Sequence, residues 1–230
     1  NEDLFGVHSN TAWVIDGATD LLRPLDLPGA SNAEWYANRL HYFIQQNAGA
    51  PSLESVLRRA LEGLNAEAHG LVGDEIQRFP SAAVLLVRLD GLDLEYLALA
   101  DCHLIAEKMG GAFEHVGPSG SPVPLARSEM ERRRLARNTT GGLWVARREP
   151  HAVDHAVRGV VRMAKRVLLA TDGAWRAVEL GIVASHEEFI GMNSRELGDV
   201  LRKVSTSDFS RAGYWDDGAI AIFDVAQASL

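Results

Sequence analysis

The sequence has a single cysteine, Cys102, among 230 residues, so no intramolecular disulfide framework can form. It also lacks any apolar run near the roughly 20 residues that a membrane-spanning helix needs, and no N-terminal segment has the pattern of a signal peptide. Basic residues are outnumbered, 23 Lys and Arg against 31 Asp and Glu, and the net charge of −8 argues against a nucleic-acid partner. These shortages predict a cytoplasmic protein with no nucleic-acid or membrane partner, in which Cys102 is a buried structural thiol.

The residues that are present suit one globular domain. Hydrophobic residues make up 47% of the chain, enough to bury a sizeable core at this length. No repeat, low-complexity tract or linker divides it. We therefore expect a single domain over residues 1–230 and a monomer.

Two periodicities give the expected secondary structure. Short apolar runs bounded by Gly, Asp or Pro predict strands at Thr11–Ile15, Ala82–Leu89, Leu94–Ala100, Val167–Thr171 and Ala219–Val225. Helices with one apolar face are predicted after the capping residues Ser31, Ser52 and Asn193. Because two helices precede a cluster of strands instead of alternating with them, the pattern favours a segregated α+β fold.

The stretch Gly117–Gly142 reads differently, since Gly, Pro and Ser surround a short arginine-rich helix opening at Ser128-x-x-Glu131. Its arginines, Arg132, Arg133, Arg134 and Arg137, alternate with glutamates. These arginines could dock an acidic or phosphorylated partner, but alternation of this kind is more typical of a solvated helix face. We expect a surface excursion there.

Aspartates stand at three places where apolar strands begin or end: Asp16 before Gly17, Asp172 before Gly173, and the pair Asp216-Asp217 before Gly218. One Asp-Gly pair is usually only a tight turn. Three such pairs predict carboxylates held on rigid elements, with a glycine that permits close approach. Hard cations such as Mg²⁺ and Mn²⁺ take oxygen ligands of this kind.

Five segments in order resemble the motif set of the metal-dependent type 2C serine/threonine protein phosphatases. They are Asn1-Glu2-Asp3, Val14-Ile15-Asp16-Gly17, Leu97 to His103 around Asp101, Leu168 to Gly173, and Asp216 to Phe223. The resemblance spans nearly the whole chain. It implies a central two-sheet β-sandwich flanked by helix pairs, in four layers α-β-β-α, and hydrolysis of phosphoserine and phosphothreonine in proteins.

The resemblance also implies the roles of single residues. Asp16 would bridge two Mg²⁺ or Mn²⁺ ions, Glu2 and the Gly17 carbonyl would complete one ion, and Asp172 with Asp216 would hold the other. Asp101 would help to bind a third ion, and Asp3 and Asp217 would order water around the ions. The catalytic set would then be Asp16, Asp172 and Asp216, with a metal-bridging hydroxide attacking phosphorus. The implied partners are a phosphorylated protein substrate and a protein kinase or its target.

The sequence departs from the family pattern at two places. The basic residue with which relatives clamp the substrate phosphate would lie before Asn1, and Ala18 stands where several relatives carry a histidine after the first Asp-Gly.

Three other interpretations of the sequence can be compared with this one. A type 2C fold kept as a regulatory or interaction module would not need metal. Haloacid-dehalogenase-like phosphatases are disfavoured, because their nucleophile lies in an Asp-x-Asp motif and Asp16 is followed by Gly17 and Ala18. His151 and His155 have zinc-ligand spacing, but with no third ligand in view we read them as a solvated connector.

Overall fold

The computed structural model of the chain describes residues 2–118, 125–207 and 217–225. Nine strands lie in these ranges: β1 (Asp3–His8), β2 (Thr11–Gly17), β3 (Ala82–Asp90), β4 (Asp93–Leu99), β5 (His103–Lys108), β6 (Phe113–Val116), β7 (Val157–Val161), β8 (Ala164–Ala170) and β9 (Ile220–Asp224). The helices are α1 (Asn32–Asn47), α2 (Leu53–Val72), α3 (Arg127–Leu135), α4 (Asp172–Glu179), α5 (His186–Gly191) and α6 (Ser194–Ser205), with a 3-10 helix at Pro150–His155.

The strands form two antiparallel sheets. The first sheet has the order β1-β2-β3-β4-β7 and the second the order β6-β5-β8-β9. Apolar residues from both sheets, among them Val14, Leu85, Leu104, Val167 and Leu169, form one buried cluster between them. The two sheets are therefore packed face to face as a sandwich.

Helices cover the two outer faces of the sandwich. Trp13 and Leu86 of the first sheet share a buried cluster with Leu40 of α1 and Leu57 of α2. Leu168 of the second sheet shares another with residues of α4, α5 and α6. The predicted α+β class and the four layers α-β-β-α are confirmed, although the second flank carries three helices instead of a pair.

The three predicted helix starts are confirmed by their capping bonds. The Ser31 hydroxyl accepts a hydrogen bond from the Glu34 amide at 3.0 Å, and Ser52 caps α2 through the Ser55 amide at 3.1 Å. Asn193 forms a reciprocal capping box with Glu196 at the start of α6. The predicted start at Ser128 is wrong, because α3 begins at Arg127 after Ala126, whose side chain cannot cap.

Two further observations bear on the expectations from composition. Cys102 is buried, with 1% of its surface exposed, as predicted for a structural thiol. Among the described residues, every helix is too short or too polar to cross a bilayer.

Candidate metal centre and its surroundings

The β1–β2 hairpin brings together two of the predicted acidic residues, Asp3 and Asp16. Asp3 and Asp16 are directly opposite each other in this antiparallel pair, and they are only 2% and 9% exposed. Burial, together with the negative charges of Asp172 and Asp217, raises the pKa of Asp3 to about 7 against the effect of its hydrogen bond with Thr171. Strand pairing thus brings two buried carboxyl groups together at this end of the sheet.

The second sheet supplies the next carboxylates at the same edge of the sandwich. Asp172 is the first residue of α4, directly after the Thr171 that follows β8. Thr171 is tied to the start of β9 by two bonds, its amide donating to the Ala219 carbonyl at 3.1 Å and its hydroxyl accepting from the Ala219 amide at 2.9 Å. This link places Asp217, two residues earlier in the chain, next to the end of β8.

The two sheets meet at Asp16 and Asp172 through a bond between backbone and side chain. The Asp172 amide donates to Asp16 Oδ2 at 3.3 Å, although the two residues are 156 positions apart. Asp172 Oδ2 lies 3.5 Å from the Arg176 guanidinium, while Asp172 Oδ1 is buried and accepts no hydrogen bond from the described residues. A buried carboxylate oxygen without a donor is costly unless a cation or another ligand meets it.

Glu2 is held rigidly beside this contact. Its amide donates to Asp217 Oδ2 at 2.7 Å, and its carbonyl accepts from the Gly17 amide at 3.1 Å. Its carboxylate accepts from the hydroxyls of Thr19 at 2.8 Å and Ser31 at 2.9 Å. Because Ser31 also caps α1, the first helix fixes the orientation of Glu2, a relation that no sequence pattern indicated.

Asp101 reaches the same place from the loop between β4 and β5. It lines a cavity of about 220 Å³ together with Asp16, Gly17 and Asp172. Burial, with the charge of Asp172, raises the pKa of Asp101. The preceding Ala100 has φ 75°, in the left-handed region that costs a residue with a Cβ about 1–2 kcal/mol. Strain of this size commonly accompanies a side chain that must point in one direction.

The remaining predicted ligand, Asp216, lies outside the described residues. Within the three described ranges, acidic, histidine and cysteine side chains do not gather as a group of three arranged to hold a metal ion. What the described residues offer is a pair, Asp16 and Asp172, with an unbonded carboxylate oxygen and further carboxylates nearby. The chemistry of these donors fits a hard divalent cation and would fit it better with one more ligand.

The arginines of α3 correct one sequence prediction. Arg132 and Arg133 are exposed and both pair with Glu129, as expected of a solvated face. Arg134 and Arg137 instead line the cavity with Asp16 and Asp101, so the solvated interpretation is wrong for these two. They lie on a different face of the chain from their neighbours, and no apolar periodicity marks that face because it packs against polar groups.

An aromatic cluster lies behind Asp101 and Asp172. The Trp175 ring of α4 stacks on His103 at 4.2 Å and on His115 at 4.7 Å, and the two imidazoles share a hydrogen bond of 3.0 Å. Burial, then the neighbouring His115, lowers the pKa of His103 to about 3. This cluster joins β5 to the helix that carries Asp172. Elsewhere, His155 stacks on Trp144 at 3.4 Å, so it is a packing residue and not the zinc ligand considered from its spacing.

The sequence has no match among protein-family models or curated proteins. Its structure is nevertheless similar to solved phosphatases. The catalytic domain of the serine/threonine protein phosphatase PstP, in complex with two manganese ions, has a TM-score of 0.59 at 14% identity and covers 97% of this chain and 91% of its own. PppA, a regulatory component of the type VI secretion system in Pseudomonas aeruginosa, has a TM-score of 0.57 at 16% identity, with 97% and 91% covered.

RsbX, in complex with magnesium, is similar at a TM-score of 0.52 and 13% identity, and covers 96% of this chain and 85% of its own. Structural similarity at identities this low shows the fold and leaves the activity to be tested. The chain has the fold of the type 2C serine/threonine phosphatases.

Proposed function

We propose that the chain, as a single catalytic domain, is a metal-dependent phosphoprotein phosphatase that hydrolyses phosphoserine and phosphothreonine. The observation that supports it best is the contact between Asp16 and Asp172 across the two sheets. This contact lies at one edge of a sandwich whose fold is that of a phosphatase crystallised with two manganese ions. Such a site would be a costly gathering of negative charge in a domain that did not bind cations.

The proposed ligands for two Mg²⁺ or Mn²⁺ ions are the carboxylates of Glu2, Asp16, Asp172 and Asp216 and the carbonyl of Gly17. Asp101 would contribute to a third ion together with Asp172. The unbonded Asp172 Oδ1 supports this assignment, because it is a buried carboxylate oxygen that no described donor satisfies. Oxygen-only donors suit Mg²⁺ and Mn²⁺ in preference to zinc.

The ions would supply acidity for a water nucleophile and neutralise charge on the phosphoryl oxygens. The protein's own groups do the positioning. Asp217 fixes the Glu2 backbone, and the Thr19 and Ser31 hydroxyls fix its carboxylate. Since Ala18 offers no proton, we assign protonation of the leaving oxygen to water. The side chain of the substrate residue would remain outside, because a cavity of about 220 Å³ is small beside the roughly 300–1,000 Å³ of sites for drug-sized ligands.

The test is hydrolysis of p-nitrophenyl phosphate and of a phosphothreonine peptide with added Mn²⁺, with and without EDTA. We expect activity that requires the metal and no phosphoenzyme after acid quenching. Full activity in a metal-free sample would contradict the proposal, and mass spectrometry that finds phosphate on Asp16 would point to a dehalogenase-like reaction. Binding of Mn²⁺ without turnover of either substrate would favour the regulatory module instead.

A further inference from the structure

Two arginines that the proposed chemistry does not use face the carboxylates. Arg134, in the last turn of α3, and Arg137, just beyond its end, both line the cavity that holds Asp16, Asp101 and Asp172. Each is partly buried, in contrast to the exposed Arg133 of the same helix. The cavity therefore has an acidic wall from the sheets and a basic wall from α3.

Both guanidinium groups are anchored by neutral oxygens. Arg134 donates to the carbonyls of Ala18 at 3.3 Å and Thr19 at 2.8 Å, and Arg137 donates to the Ser81 hydroxyl. Among the described residues, neither guanidinium has a carboxylate within 4.0 Å. Most of their N–H donors are thus left for another partner.

Neighbouring arginines show what an ion-paired guanidinium looks like in this protein. Arg147 is 4% exposed and pairs with Glu149, and Arg176 pairs with both Asp172 and Glu179. Arg147 also donates to the Arg137 carbonyl at 3.2 Å, which fixes the backbone from which the Arg137 side chain extends. Arg137 is therefore held in place without being neutralised.

Nearby carboxylates compensate the charges of the basic wall only in part: Asp20 and Glu2 favour the charged form of Arg134, and Asp101 and Asp16 favour that of Arg137. Burial, followed by repulsion from Arg134, lowers the pKa of Arg137 to about 9 despite the attraction of Asp101. The pKa of Arg134 is lowered by burial as well. A bound anion would relieve both effects, since a partly buried cation is stabilised by a hydrogen-bonded partner of opposite charge.

We propose that Arg134 and Arg137 bind the phosphoryl group of the substrate, a phosphate monoester dianion. This inference rests on the proposed function and gives the phosphate-binding role to Arg134 at the end of α3 and to Arg137 just after it. Guanidinium groups present parallel N–H donors that match two phosphoryl oxygens. With carboxylates opposite them, the two arginines would hold the non-bridging oxygens on the side away from the ion ligands.

The experiment compares Arg137→Gln, Arg137→Lys and Arg134→Gln with the control Arg133→Gln, whose side chain is exposed and paired with Glu129. At saturating Mn²⁺ we expect KM for a phosphothreonine peptide, and the inhibition constant of inorganic phosphate, to rise by about tenfold to a hundredfold in the first three. Arg137→Lys should recover part of the loss, because lysine keeps the positive charge but lacks the parallel N–H donors of a guanidinium group. The control should change both by less than twofold.

A second measurement uses the wild-type protein and so does not depend on how the variants fold. Phenylglyoxal modification, located by mass spectrometry, should reach Arg134 and Arg137, and inorganic phosphate should protect both while leaving Arg133 reactive. Arg134 and Arg137 that neither inorganic phosphate nor the phosphothreonine peptide protects, or variants that only melt earlier with unchanged KM and phosphate inhibition, would overturn the inference.

The outcomes separate this inference from the proposed function. Metal-dependent turnover with no effect of these arginines on KM would leave the phosphatase and remove the phosphate site. Protection by phosphate in a protein with no turnover would keep the phosphate site and remove the phosphatase. Protection by the phosphothreonine peptide but not by inorganic phosphate would show that the site recognises the esterified form. Absence of both protection and turnover would overturn both proposals.

Discussion

Gly17→Ala should damage both the stability and the metal response of the protein. A Cβ on Gly17 would lie 2.4 Å from the Glu2 carbonyl oxygen, where Cβ atoms essentially never approach closer than 3.0 Å. The β1–β2 hairpin must therefore open by about 0.6 Å, the difference between these distances, at the residue that carries one proposed ligand. The three obstructing atoms are the carbonyl oxygen, the carbonyl carbon and the Cβ of Glu2, so no flexible end of a side chain can give way.

The expected size follows from what is lost. The Gly17 amide bond to the Glu2 carbonyl, 3.1 Å long, contributes about 1 kcal/mol, and overpacking costs about 1–3 kcal/mol more. The free energy of unfolding should fall by about 2–4 kcal/mol, which corresponds to a fall in Tm of about 5–15 °C for a chain of this length.

The assay is thermal melting in EDTA and in Mn²⁺, with Gly49→Ala as the matched control. Gly49 is exposed and has no atom within 4 Å of its added Cβ, so its Tm should change by no more than about 2 °C. Displacing Glu2 should also reduce the rise in Tm that Mn²⁺ produces, because that rise reports metal affinity. If Gly17→Ala melts with the control and keeps the full Mn²⁺ response, the tight Glu2–Gly17 approach is not what holds this corner.

Three other changes give distinct signatures. Asp172→Asn should lower turnover by orders of magnitude and shrink the Mn²⁺-induced rise in Tm, because an amide is a poor ligand for a hard cation; near-wild-type activity at limiting Mn²⁺ would remove Asp172 from the site. Ala100→Gly should raise the stability of the folded state by about 1 kcal/mol in urea titrations by relieving the left-handed φ, and an equal or lower midpoint would show that the residue is not strained. The pKa of His103 is lowered to about 3, so its neutral form stabilises the fold fully above about pH 6.5, and this contribution is lost as pH falls towards 3. The free energy of unfolding should fall by about 2 kcal/mol at pH 5 for this reason. His103→Gln should make the free energy of unfolding depend less on pH in this acidic range. An unchanged slope between pH 6.5 and 4 would contradict this.

The sequence predicted the interior of the fold better than its margins. The runs around Val14, Leu85 and Leu97 are buried on both faces, so their continuous apolarity marks them plainly as strands. Four strands were not predicted: β1, β6 and β7 lie at sheet edges and alternate with exposed residues such as Phe5 and His115, and β5 lies inside the second sheet. An edge strand pairs on one side only, and its exposed residues interrupt the apolar pattern by which strands are recognised.

The residues of the site also differ in how well the sequence predicted them. A carboxylate at a strand end is visible in sequence, which is why Asp16 and Asp172 could be expected to share an edge. The basic wall was not visible, because Arg134 and Arg137 belong to a polar helix whose inward face packs against carbonyls and a hydroxyl. The hydroxyls that orient Glu2 were hidden for a similar reason: Ser31 gave a capping signal, and its second bond depends on where α1 lies.

The β1–β2 hairpin has a consequence for how the site assembles. Asp3 and Asp16 are joined by strands that meet through the tight turn at Ser9 and Asn10, so their pairing requires closure of a very short loop. The contact between Asp16 and Asp172 requires closure of a loop an order of magnitude longer. Closing the longer loop costs more chain entropy and is slower. We therefore expect a folding order in which the hairpin pairs its two carboxylates first, while they still face water, and their desolvation waits for the second sheet to dock. A chain stalled between these stages would present an open acidic hairpin to divalent cations, so cations could act on late folding steps as well as on the finished site.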